Sequence, residues 1–89
     1  MMRVVHHTII VEVVLMNKTY IQEYQCLGRN IFYYRKKAGY TQLQLAEMLD
    51  IDRSHMSAIE LGNVGASLDV IFKLCRVLEM KPSELFDFR

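Results

Sequence analysis

The sequence predicts an all-α domain of five helices, organised around a helix-turn-helix unit and preceded by a β-prone N-terminal arm. Three observations carry that expectation. Apolar residues recur at helical spacing through residues 20–89. Capping residues and glycines punctuate the pattern at intervals short enough to hold consecutive helices together. The β-branched run from Val4 to Leu15 stands apart from this pattern, at the start of the chain. The organisation expected is an arm and connector over residues 1–19 and a helix-turn-helix domain over residues 20–89.

The arm reads as a strand. It is too short to cross a bilayer and carries Glu12, so no membrane span is expected. Arg3 precedes the apolar run, as in a secretory signal, but no small-residue cleavage site follows. His6, His7 and Glu12 invite a metal-site reading. Adjacent histidines on a strand point to opposite faces, so they do not converge on one ion, and no metal is expected. Met16 leaves open that the natural chain starts there and that the arm is a translation artefact. Asn17, Lys18 and Thr19 form a polar connector.

Tyr20 to Gln25 leads into, or already begins, the first helix. Leu27, Ile31 and Tyr34 make its apolar stripe, with Arg29, Arg35, Lys36 and Lys37 outside it. Gly39 ends the helix, and the three cations of the last turn suit its negative end. Thr41 is placed to cap a second helix, Gln42 to Leu49, on which Leu45, Ala46 and Leu49 share one face. Asp52 is expected to cap a third, Arg53 to Leu61, with Met56 and Ile59 inward. Gly62 to Ala66 form a loop. Ser67 caps a fourth helix carrying Leu68, Ile71, Leu74, Cys75 and Leu78. Pro82 suits the first turn of a short fifth helix, Pro82 to Phe86, with Glu84 near its positive end.

The second and third helices are joined too tightly to separate, which is the helix-turn-helix layout. Outward on the third are Arg53, Ser54, Ser57 and Ala58. These small or donor-bearing side chains suit the floor of a DNA groove.

Eighty-nine residues make one domain with one core, and 52% apolar content is high for that length. The net charge of +1 supplies no general attraction to nucleic acid, so any attraction must come from local placement of charge. Cys26 and Cys75 lack C-x-x-C pairing. Both fall where helices look inward, so they read as reduced core residues of a cytoplasmic protein.

Leu27-Gly28, Arg35, Gly39, Thr41-Gln42, Leu45-Ala46, Ser57, Ile59-Glu60, Gly62, Ser67-Leu68 and Leu85-Phe86 also follow one another in a known order and spacing. Over residues 26 to 88 the chain resembles the XRE-like, phage Cro and repressor-type helix-turn-helix family. The run Thr-Gln-x-x-Leu-Ala followed by Ser-x-Ile-Glu-x-Gly is the specific part. The resemblance implies the five-helix lambda-repressor-like fold and sequence-specific binding of double-stranded DNA, as a homodimer, to control transcription. By residue, it implies that Gln42 touches the DNA backbone, that Arg53, Ser54, Ser57 and Ala58 face base edges, and that Asn63 approaches a phosphate. Arg35 and Glu60 match a buried ion pair tying helix one to helix three. Arg53 is the one base-facing residue able to grip guanine with two parallel hydrogen bonds. The chain departs from the family pattern at Asp50 and Glu79, where glycine is usual, at Leu61, where a cation is frequent, and at Ala66, where proline is common.

Each of these residues also has a plainer role. Ser57 is then a surface serine, His55 a rim residue beside the DNA-facing positions or a DNA contact, and Gln42 a polar group of the capping region. Lys36 and Lys37 read as solvated helix-end charges. Tyr33, Tyr34 and Tyr40 raise the possibility of stacking on single-stranded bases, but Tyr34 and Tyr40 occupy core positions of the pattern. No nucleophile, base and orienting group come together and no phosphate-binding glycine loop is present, so neither an enzyme nor a cofactor is expected. The competing reading is a protein-interaction or antitoxin-type module of the same fold, with a protein partner and weak DNA binding. A β-branched arm would suit pairing with another chain.

Overall fold

The computed structural model describes residues 19–89. The β-prone arm, with the strand and the His6, His7 and Glu12 readings, lies outside the described residues. Within them the chain is helical throughout, with five helices: α1 (Ile21–Ala38), α2 (Gln42–Leu49), α3 (Arg53–Leu61), α4 (Leu68–Val77) and α5 (Pro82–Leu85).

Side-chain hydrogen bonds set the helix starts at α2, α4 and α5 and not at α1 or α3. Thr41 Oγ1 accepts from the Gln44 backbone N–H at 3.0 Å while the Gln44 side chain accepts from Thr41 N–H at 2.8 Å, a reciprocal capping box. Ser67 Oγ accepts from Val70 N–H at 3.2 Å and opens α4. Asp52 holds the extended backbone of a capping residue, but its side chain makes no capping hydrogen bond, which corrects the expected role. At α5 the Glu84 carboxylate accepts from Lys81 N–H at 2.9 Å, beside Pro82.

The helix ends share one solution. After α1, α2, α3 and α4, one residue turns left-handed, and two backbone N–H groups fold back onto the last turn. The pairs are Gly39 with Tyr40, Asp50 with Ile51, Gly62 with Asn63, and Glu79 with Met80. This is the Schellman arrangement, which satisfies the orphan carbonyls of a helix end. Glycine takes the left-handed position at Gly39 (φ 84°) and Gly62 (φ 78°) without penalty. Asp50 (φ 58°) and Glu79 (φ 53°) adopt it with a Cβ, so the two departures from glycine keep the turn and carry its strain.

The helices pack as α1 on α3, α3 on α2, α2 on α4, and α5 under both α4 and α1. Ile31, Leu45, Met56, Ile59, Ile71, Leu74 and Leu85 are fully buried, each worth roughly 1.5–3 kcal/mol of apolar burial. Several expected core positions differ, with Tyr34, Tyr40 and Leu78 half-buried. Leu68 is 64% exposed, since it sits one turn before the inward stripe of Ile71, Leu74 and Cys75. Cys26 is only half-buried, and Arg29 Nη2 donates to its sulfur at 3.4 Å. The fifth helix ends at Leu85 rather than Phe86.

Backbone fit sets the α1–α3 spacing. A Cβ placed on Gly28 would collide with the carbonyl oxygens of Glu60 and Ile59, so only glycine allows this approach. Asn30 Nδ2 donates to the carbonyls of Leu85 at 2.8 Å and Asp87 at 3.1 Å, clamping the end of α5 to α1. No helix among the described residues is long and apolar enough to cross a membrane.

Candidate nucleic-acid interface

The Leu49–Asp52 turn joins the end of α2 to the start of α3, Leu45, Met56 and Ile59 share the core below, and the first residues of the two helices meet where Arg53 Nη1 donates to Gln42 Oε1. The surface above that core holds Gln42 from α2 and Arg53, Ser54 and His55 from α3. Arg53, Ser54 and His55 are exposed; Ser57 and Ala58, one turn on, are half-buried. Asn63 is exposed just beyond α3, its backbone N–H folded onto Ala58 O at 3.0 Å.

Beneath this surface is a buried ion pair. Arg35 Nε donates to Glu60 Oε2 at 2.6 Å and Arg35 Nη2 donates to Glu60 Oε1 at 3.1 Å, a bidentate pair joining α1 to α3. Its side chains are 6% and 4% exposed, so both charges have left water. Such a pair survives only with its remaining polar groups satisfied. Arg35 Nη1 donates to Tyr40 O at 2.9 Å, and the Phe32 ring lies 5.2 Å from the guanidinium carbon. Gln42 Nε2 supplies a further donor to Glu60 Oε1 at 2.9 Å. No buried side-chain nitrogen or oxygen among the described residues lacks a partner.

Gln42 also faces outward. Its Oε1 accepts from Arg53 Nη1 at 3.3 Å, so the half-buried amide bridges the ion pair and the exposed arginine. An open depression lies beside it, lined by Lys36, Tyr40, Thr41, Gln42, Leu43 and Arg53. Its exposed cations Lys36 and Arg53, beside the Arg35 already paired with Glu60, and the free N–H groups at the start of α2 favour an anion.

The structure thus brings Gln42, Arg53, Arg35 and Glu60 into one connected group, with Ser54 and His55 at its edge and Asn63 at the far end of α3. The spacing of the sequence did not reveal the inward half of Gln42, the Phe32 ring against Arg35, or the Asn30 clamp. The Arg35–Tyr40 contact had one available signal: Gly39 between them forces the chain back over the last turn of α1.

The sequence model of the helix-turn-helix family matches residues 31–85, more than half of the chain. The chain belongs to the XRE-type helix-turn-helix family. Among its relatives in that family, the HTH-type transcriptional regulator SlrR of Bacillus subtilis (strain 168) is 39% identical over 62 residues, 68% of this chain and 41% of that protein. Control protein C.BamHI of Bacillus amyloliquefaciens is 38% identical over 52 residues, 58% of this chain and 64% of that protein. The chain therefore spans about half the length of these curated relatives. The crystal structure of the restriction-modification controller protein C.AhdI from Aeromonas hydrophila superposes with a TM-score of 0.69 at 32% identity. That match covers 73% of this chain and 98% of C.AhdI.

Proposed function

We propose that this XRE-type chain is a sequence-specific, double-stranded DNA-binding regulator of transcription that places α3 in the major groove. The observation that carries the reading is the pairing of the α2 and α3 N-termini, with Gln42 and Arg53 presented together above a buried ion pair. Relatives described as a transcriptional regulator and as control proteins support it. In this reading Arg53 grips guanine in the groove, and Ser54, His55, Ser57 and Ala58 line the remaining contact. Gln42 and Asn63 hold phosphates on either side, the former beside the depression bearing Lys36. Function of this kind places the protein with the chromosome, in the cytoplasm.

The protein acts as a homodimer on an inverted repeat, in the same reading. One recognition helix covers few base pairs, and a net charge of +1 adds little general attraction. A two-fold pair would set two α3 helices about 34 Å apart, one turn of DNA. Selection of bound duplexes from a random pool tests the whole proposal. An enriched motif with two related halves supports it, and a pool without enrichment overturns it.

One observation favours the second reading, a protein-interaction module of the same fold. Leu68, Phe72, Phe86 and Phe88 are large apolar residues exposed on α4 and the C-terminal segment. Co-purification with a different protein, together with salt-insensitive failure to bind DNA, marks that outcome.

A further inference from the structure

Glu60 accounts for its burial by pairing with Arg35, yet one of its oxygens is shared. Oε1 accepts from Arg35 Nη2 at 3.1 Å and from Gln42 Nε2 at 2.9 Å. We infer that Glu60 is a positioning residue for DNA readout: through Gln42 it fixes which side of that amide meets Arg53. The inference rests on the reading of Arg53 as the base-contacting residue.

The chemistry is one of donors and acceptors. An ionised carboxylate only accepts, so the Gln42 amide must turn its NH2 group toward Glu60. Its oxygen is thereby forced to the opposite side, where Arg53 Nη1 donates to it at 3.3 Å. An arginine only donates, so the polarity of the relay is set at every link, from Arg35 through Glu60 and Gln42 to Arg53. Arg53 has five N–H donors, and holding one leaves four, enough for a bidentate grip on guanine. An exposed arginine otherwise explores many rotamers, and one hydrogen bond from a rigid anchor narrows them before DNA arrives. The anchor is rigid because the carboxylate is held by two bonds from a buried guanidinium.

The shared oxygen decides the outcome for Glu60→Gln. With its amide oxygen at the Oε1 position, the new side chain keeps the bonds from Arg35 Nη2 and Gln42 Nε2 and sets its NH2 group against Arg35 Nε alone. The reverse orientation sets NH2 against two donors, so Gln42 keeps its direction and its bond from Arg53 in this variant. A side chain without an acceptor at this position releases Gln42 and so disturbs a base contact it cannot touch.

The test uses the full chain and duplexes enriched from a random pool, with relative affinities measured for every single-base change. Arg53→Ala identifies the base pair that Arg53 reads, by abolishing preference there. Gln42→Met cuts the outer link and leaves the ion pair whole. It should lower preference at that same base pair roughly fivefold, the worth of one hydrogen bond, with the ranking elsewhere kept. Assayed well below their melting temperatures, Glu60→Gln should keep preference at that position, whereas Glu60→Met, which offers Gln42 no acceptor, should lower it. The double variant of Gln42→Met with Arg53→Ala should show no preference loss there beyond that of Arg53→Ala. If Gln42→Met weakens all duplexes alike and keeps full preference at that base pair, Gln42 serves a phosphate only and the relay is wrong. If Arg53→Ala leaves every preference intact, the reading of Arg53 itself fails, and the two failures are thereby told apart.

Discussion

Arg35 and Glu60 are two full charges taken out of water and returned to each other, and the consequence of breaking them is larger than the benefit of having them. Removing one partner strands the other without solvent, so Glu60→Ala and Arg35→Ala should each lower stability by about 3 kcal/mol or more. Thermal or urea melts of both variants check this, and unchanged midpoints would remove the pair from any structural role. Asp50 and Glu79 make the opposite case, since each holds a left-handed backbone that glycine adopts freely. Asp50→Gly and Glu79→Gly should raise stability by roughly 0.5–1 kcal/mol each, with Glu79 the larger, because aspartate tolerates this conformation better than most residues. Equal or lower midpoints would show the turn to be unstrained. Burial pushes the Cys75 thiol upward from its ordinary value of about 9, and the nearby Glu84 carboxylate adds to the shift. Its folded form therefore keeps its proton where the unfolded form loses it, so stability falls as pH climbs above about 9. That slope should be shallower in Cys75→Ala than in the parent when melts are compared from pH 8 to pH 10.

At the scale of the helices, glycine is a spacer as well as a terminator. Gly28 lets α1 lie against the carbonyls of α3, so Gly28→Ala must push two backbones apart. A loss of about 1–3 kcal/mol is expected, in the range of core overpacking, and it should appear in the same melts. The bounds of α2 and α3 were legible because each is bracketed by local chemistry: Thr41 with Gln44 before α2, then Asp50 and Gly62 after the two helices. The inward faces were legible from spacing, since Leu45 with Leu49 and Met56 with Ile59 can share only one side of their helices. Leu68 was misplaced because periodicity gives a stripe without saying where on the helix the neighbouring helix stops covering it. Asp52 was misjudged because residue type marks a capping position, whereas the side-chain torsion decides whether the bond is made. The twofold use of Gln42 was out of reach for another reason. Glu60 lies 18 residues away and Arg53 lies 11 away, and no local pattern encodes their meeting.

For the whole molecule, the apolar exterior around α4 and the C-terminal segment sets the expected assembly. Phe72, Phe86 and Phe88 are exposed, while Val77 and Met80 are half-buried beside them. A small domain gains from covering such surface, and a two-fold partner does so symmetrically. Sedimentation of the full chain at tens of micromolar should show a dimer, and Phe72→Ser should weaken it if this face is used. A dimer unaffected by that change but lost in a chain starting at Met16 moves the contact to the N-terminal arm, and a monomer throughout removes it. The short turns between helices have a kinetic meaning as well. Because the stops of α1 to α4 fold back on themselves, most structure can form locally, and refolding should finish within milliseconds. The Arg35–Glu60 bond spans 25 residues and closes a loop around α2. Stopped-flow mixing would show when that loop closes. If it closes after the folding barrier, Glu60→Ala should leave refolding almost as fast and make unfolding quicker, so that the pair acts as a latch on the lifetime of the folded chain.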